Sequence, residues 1–116
     1  LVSDLFYSPI SKQLYYVTPN GKVLVLNPDT KKLLTKIELG SNEELYDHST
    51  VATLDEKNGR VYVSFNRVLY VIDGKINKIQ NKIHLIKNPK KIVVKYGSNK
   101  VWLLYPDLKS VGIIDD

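Results

Sequence analysis

Cysteine and methionine are both missing from this 116-residue chain. The first absence removes disulfides, thiolate metal sites and cysteine nucleophiles together. The second fits a chain that begins Leu1-Val2-Ser3-Asp4, with no charged stretch followed by an apolar signal segment. It reads as a segment of something longer, or as a processed product. Glycine (6) and proline (5) are too scarce for a disordered chain, and 43% hydrophobic with 25% charged residues is a globular composition. No run approaches the roughly 18 consecutive apolar residues of a spanning helix, so membrane insertion is not expected. There is no Gly-x-Ser-x-Gly, no Gly-rich phosphate loop, no His-Glu-x-x-His and no Asn-x-Ser/Thr sequon. Catalytic residues, metal ligands and cofactors are therefore not expected within these residues.

What is present is a positive balance, 17 basic against 12 acidic residues for a net charge of +5. A nucleic-acid domain usually concentrates its charge on one face. Here the lysines are dispersed over turns and outer strands, the ordinary way to keep strands soluble.

The chain also repeats, and a repeat decides the fold. Three short cores correspond: Gln13-Leu14-Tyr15-Tyr16-Val17, Arg60-Val61-Tyr62-Val63-Ser64 and Lys100-Val101-Trp102-Leu103-Leu104. Each leads through a turn into a second core: Val23-Leu24-Val25-Leu26-Asn27, Leu69-Tyr70-Val71-Ile72-Asp73 and Val111-Gly112-Ile113-Ile114-Asp115. Tyr15 to Tyr62 is 47 positions and Tyr62 to Trp102 is 40. A third element recurs at 46, with Leu33, Ile37 and Leu39 falling on Ile79, Ile83 and Leu85. A fourth precedes each first core at Leu5-Phe6-Tyr7, Ala52-Thr53-Leu54 and Ile92-Val93-Val94. Four short strands in a period of about 40–47 residues make a β-propeller blade.

The expected fold is therefore all-β, a β-propeller segment of about three blades, each a four-stranded antiparallel meander with strands A to D. The last blade lacks its outer strand. The boundaries fall at about 3–40, 50–87 and 90–116, with an insertion loop at 41–49. Strands B and C are continuous apolar runs, suited to burial on both faces. Strand D alternates, with Leu33, Thr35, Ile37 and Leu39 expected on one side and Lys36 and Glu38 on the other. Asn58-Gly59 and Gly97-Ser98-Asn99 are A–B turns; Asn27-Pro28-Asp29-Thr30 and Asp73-Gly74-Lys75 are C–D turns. Tyr15, Tyr62 and Trp102 share one repeat position and are expected in the inter-blade core.

These units resemble the YVTN family of β-propeller repeats, with a Tyr-Val-Thr-Asn strand end before a Val-x-Val-Ile-Asp strand. Here those positions read Tyr16-Val17-Thr18-Pro19-Asn20 and Val23-Leu24-Val25-Leu26-Asn27, then Tyr62-Val63-Ser64-Phe65-Asn66 and Leu69-Tyr70-Val71-Ile72-Asp73. The third unit has Trp102-Leu103-Leu104-Tyr105 and Val111-Gly112-Ile113-Ile114-Asp115. Pro19 interrupts the first motif and the third lacks its Asn. WD40-like and quinoprotein-like propellers share the skeleton. The resemblance implies a binding scaffold of the kind found in archaeal surface-layer proteins and in secreted or periplasmic bacterial proteins. It thus implies a secreted or cell-surface location, with a cytoplasmic one left open. Such repeats also occur in oxidoreductases whose ligands sit at the ring's centre.

In an A-to-D meander the B–C turns and the D–A connections share one face, and loops on rigid scaffolds carry function. Three sets of residues belong there. The first D–A connection is 6 residues longer than the second and contains Tyr46, Asp47 and His48. An adjacent carboxylate and imidazole can bind a cation or move a proton, although one His without a partner at ligand spacing reads more simply as a plain loop insertion. The second set is Asn66 and Arg67, on a B–C turn. The third is the basic cluster Lys87-Asn88-Pro89-Lys90-Lys91, where Lys87, Lys90 and Lys91 with Arg67 and Lys109 suggest a polyanion-binding rim. His84, in phase with Lys82, is expected as surface decoration, and Asp55 to Gly59 as a hairpin rather than a calcium loop.

The first reading of function is a non-enzymatic scaffold that binds a protein or surface partner through one face. The alternatives are an enzyme domain, lactonase-like or quinoprotein-like, with catalytic ligands elsewhere, and a nucleic-acid or polysaccharide binder. Fewer than three complete blades leave apolar blade faces open. The remainder of its own propeller, a second copy completing a ring, or an assembly partner is expected to cover them.

Overall fold

The computed structural model describes residues 4–40, 50–95 and 98–115. Among these residues, eleven strands form three antiparallel meanders of four, four and three strands, the arrangement of propeller blades. The first sheet contains β1 (Asp4–Ser8), β2 (Gln13–Val17), β3 (Lys22–Leu26) and β4 (Leu33–Glu38). The second contains β5 (Thr50–Asp55), β6 (Arg60–Phe65), β7 (Val68–Asp73) and β8 (Lys78–His84). The third contains β9 (Lys91–Val94), β10 (Lys100–Tyr105) and β11 (Ser110–Asp115), with a single 3-10 turn, Pro106–Leu108, between the last two. In each sheet the strands pair in chain order, so every connection is a hairpin.

The repeat extends to individual hydrogen bonds. Lys12 N–H bonds Ser8 O as Gly59 N–H bonds Asp55 O, both at 2.8 Å. Lys31 N–H bonds Asn27 O as Asn77 N–H bonds Asp73 O, and Leu39 N–H bonds Gly21 O as Leu85 N–H bonds Arg67 O. The side chains of Asn27 and Asp73 each accept from the backbone two residues on, at Asp29 and Lys75. These Asx turns explain why Asn and Asp close strand C.

Strand D departs from simple alternation. The register of β4 on β3 shifts between Val25 and Leu26, and that of β8 on β7 shifts at the equivalent Val71 and Ile72. Leu34 and Gln80 are the unpaired bulge residues, and a bulge reverses the side-chain phase beyond it. Leu33 consequently shares a face with Leu26, opposite the face of Thr35, Ile37 and Leu39. In the second blade Ile79 packs toward the first blade and Ile83 toward the third.

The sheets stack face to face, with β5 between β1 and β9. Tyr15, Val17, Val23 and Val25 of the first sheet pack on Val61, Val63, Tyr70 and Ile72 of the second. The second sheet's other face, Tyr62, Leu69 and Val71, packs on Ile92, Val101, Leu103 and Tyr105. With a neighbour on both sides, β6 is buried from Val61 onward and β7 through Ile72. The outer sheets are buried on one side only. Trp102 is less enclosed than expected: Tyr15 and Tyr62 are fully buried, whereas Trp102, at the same repeat position, is only partly buried. Its sheet is the last of the stack. His84 is exposed on β8, as its phase requires.

Candidate recognition face

The B–C turns and the second D–A connection lie together at one end of the stack, with Thr50 at the start of β5 beside them. Between the first two blades, Thr50, where the first D–A connection enters β5, donates its hydroxyl to Pro19 O in the first B–C turn at 3.0 Å. Tyr46, Asp47 and His48 lie outside the described residues.

The second B–C turn is better defined. Asn66 and Arg67 have φ of 51° and 65°, the paired left-handed conformation of a type I′ hairpin. This turn matches the right-handed strand twist and brings β6 and β7 into tight register, Phe65 opposite Val68. Asn suits the first position because its short polar side chain tolerates that region; Arg at the second does so at a steric cost. Asn66 is buried and Arg67 exposed.

Asn88 supports this turn from the second D–A connection. Its Oδ1 accepts the Arg67 N–H at 2.6 Å and the Ser64 hydroxyl at 3.3 Å, and the side chain is buried. Asn88 and Pro89 are the inward part of the basic cluster, while Lys90 points to solvent. The Lys90 N–H bonds Leu104 O at 2.8 Å, joining the connection to the third blade.

Lys87 pairs with Asp107 on the third B–C turn, Nζ to Oδ2 at 2.6 Å. That hydrogen bond, then the Lys87 charge, and finally the Lys90 charge hold the Asp107 carboxyl below its usual value. Both partners are well exposed, so the pair orients the loops more than it stabilises the fold. Its electrostatic effect is plain: a carboxylate sits inside the cluster that by sequence looked uniformly basic. Lys91 begins β9 opposite Leu104, which places it on the sheet rather than on the loops. Lys109 is exposed just beyond the 3-10 turn, with φ 51°.

The structure thus brings Asn66, Arg67, Lys87 and Lys90 to one face and leaves Lys91 at its margin. Sequence reasoning missed the bridging role of Asn88 and the counter-charge of Asp107. Asn88-Pro89 is a turn dipeptide, and that signal marks the loop without revealing the bond to Arg67. Asp107 is separated from Lys87 by 20 positions, so only folding joins them.

At the opposite end the A–B and C–D turns are stitched by Tyr15, described below. Asp55 is buried there, with its carboxylate accepting the Asn58 N–H at 3.4 Å and the Asn58 side-chain amide at 2.8 Å. That is a hairpin cap, the role expected for this segment. Among the described residues, no three His, Cys, Asp or Glu converge on one point. No known protein-family model matches the chain, and no curated protein sequence matches it.

Proposed function

We propose that this chain is a non-enzymatic recognition scaffold, part of a YVTN-like propeller that binds a protein partner through the face built from its B–C turns and D–A connections. The observation that carries the reading is the bracing of that face. Three blades are tied across it by Thr50 to Pro19, Arg67 to Asn88 and Lys87 to Asp107. A rim held by inter-blade bonds presents its exposed groups in a set geometry, which lowers the entropy lost on binding. Its mixed charge, with Asp107 held between Lys87 and Lys90, favours a protein surface of mixed charge over a uniform polyanion. The resemblance to secreted and surface repeats supports an extracellular setting for that partner.

The test is selection of binders from a random-peptide library displayed against the chain, counter-screened on Arg67→Ala and Lys90→Ala. Peptides that lose affinity on both variants and vary modestly with salt support the proposal. Peptides indifferent to both substitutions overturn it. So does tight binding to heparin that falls steeply with salt, the signature of a polyanion site.

A further inference from the structure

The A–B and C–D turns of the first two blades are four copies of one shape. In each, the N–H of the fifth residue bonds the oxygen of the first at 2.8 Å: Lys12 to Ser8, Lys31 to Asn27, Gly59 to Asp55 and Asn77 to Asp73. That fifth residue is left-handed every time, with φ of 56°, 62°, 68° and 55°. Glycine and asparagine, which tolerate this region, hold it in the second blade. Lysine holds it twice in the first, at a steric cost. Both lysines are exposed. Burial therefore does not offset the strain, which leaves the charge as what the position provides.

The turns also gather at one place. The Tyr15 hydroxyl lies 3.0 Å from Ser11 Oγ and 3.4 Å from Asn77 Oδ1, so the residues beside Ile10 and Ile76 meet at one phenol. Gly74 N–H bonds Gly59 O at 2.9 Å, and a Cβ at Gly59 would stand 3.5 Å from Ile10 Cγ2. Three turns thus form one braced end. Two aliphatic tips project from it, Ile10 at 43% and Ile76 at 62% exposure.

The surroundings of those tips are basic. Lys12, Lys57 and Lys75 are exposed beside them, as are Lys31 and Lys32 on the first blade's C–D turn. Among the described residues, Lys12, Lys31, Lys32 and Lys75 form no ion pair. The exposed carboxylates of these turns are Asp29 and Glu56, whereas Asp55 and Asp73 accept from turn N–H groups. Five exposed lysines against two exposed carboxylates leave this end positive. The opposite face differs, since Asp107 sits within its basic cluster.

We infer that this turn end is a second docking surface, which rests the protein on an anionic lipid bilayer without spanning it. Each lysine near such a surface adds about fivefold in affinity. Ile10 and Ile76, wet in the free protein, enter the boundary between headgroups and acyl chains. The four turns contain no aromatic residue and no arginine. They offer neither a stacking platform for bases nor a bidentate phosphate clamp, and that composition favours an array of headgroups over nucleic acid. Docking by this end turns the B–C turns away from the bilayer. The inference does not depend on the recognition face.

The test is sedimentation of the protein with vesicles of phosphatidylcholine alone and of phosphatidylcholine mixed with phosphatidylglycerol. The expected result is co-sedimentation with the mixed vesicles only, weakening as salt rises. Lys12→Gly and Lys31→Gly should each weaken it about fivefold. Both should keep or raise the denaturant midpoint, since glycine relieves the left-handed strain, so lost binding is not lost fold. Ile76→Ser should weaken binding and keep its salt dependence. Lys82→Ala, which removes an equal charge from strand β8, should bind as the parent does. No sedimentation with the mixed vesicles, or equal sedimentation with both kinds, overturns the inference. So does binding that either glycine variant leaves unchanged, or that Lys82→Ala weakens as much. Binding that ignores Ile76→Ser while the protein retains double-stranded DNA equally well marks a polyanion site, and overturns it too.

Discussion

The Tyr15 hydroxyl donates to the backbone oxygen of Gly74, 3.1 Å away and 59 positions along the chain. This bond ties strand B of the first blade to the C–D turn of the second. The same hydroxyl lies 3.0 Å from Ser11 Oγ and 3.1 Å from Gln13 Oε1, so the outer ends of two blades meet at one phenol. Tyr15→Phe leaves the Gly74 oxygen without this donor and should cost about 1–2 kcal/mol. Gly74→Ala should cost about 1–3 kcal/mol through overpacking, because a Cβ there would lie 2.5 Å from Gly59 O and 2.6 Å from the phenol. Urea unfolding of the two variants checks both, and an unchanged midpoint for Tyr15→Phe would remove the phenol from the stabilising contacts.

Alkali should unfold the protein through its buried phenols. Burial raises the Tyr15 hydroxyl above the usual value of 10; Ser11 opposes this and the Asp73 charge adds to it. Burial likewise raises Tyr105. Both groups hold their protons more tightly folded than unfolded, so their stabilisation is fully present below pH 10. It is lost as pH climbs from there through the raised folded values, where the native state binds more protons than the unfolded chain. Thermal unfolding midpoints between about pH 8 and 11, the region where tyrosine titrates, should fall less steeply in Tyr15→Phe and Tyr105→Phe than in the parent. Parallel curves would contradict this.

Asn88→Ala should weaken both the fold and the recognition face. It strips the acceptor from the Arg67 N–H and the Ser64 hydroxyl, at about 1–3 kcal/mol for groups held away from water. Asn88→Asp keeps an acceptor and should retain more of the stability at neutral pH. Hydrogen exchange at the Arg67 amide is the local readout, faster in Asn88→Ala and close to the parent in Asn88→Asp.

The first two A–B turns offer a matched pair. Lys12 and Gly59 occupy equivalent positions with φ of 56° and 68°. An L side chain in that region costs about 1–2 kcal/mol, partly offset by glycine's greater freedom when unfolded. Lys12→Gly should therefore raise stability by up to about 1 kcal/mol, and Gly59→Ala should lower it by a similar amount. The nearest side-chain atom to a Cβ at Gly59 is Ile10 at 3.5 Å, so the cost is one of backbone conformation rather than collision. Denaturant midpoints moving in the same direction for both variants would be inconsistent with this account.

The sequence by itself determined the strands, their order and the meander, because those depend on local residue types recurring at a constant spacing. Tyr15 and Tyr62 mark strand B, Asn27 and Asp73 close strand C, and Asn58-Gly59 turns a hairpin. Each signal lies within a few residues of the feature it specifies. It also placed Asn66, Arg67, Lys87 and Lys90 at one end of the stack, since alternating hairpins leave no other arrangement. Tertiary structure decided what depends on distant partners. The Leu34 bulge moves Leu33 to the opposite face from Ile37, and only sheet pairing shows that shift. Asp107 reaches Lys87 and Asn88 reaches Arg67 across 20 and 21 positions. Tyr62 and Trp102 are interchangeable by pattern, yet one is sealed and the other only partly buried. The difference is whether another blade lies over the side chain, and burial by a neighbour belongs to the assembled stack rather than to any one segment of chain.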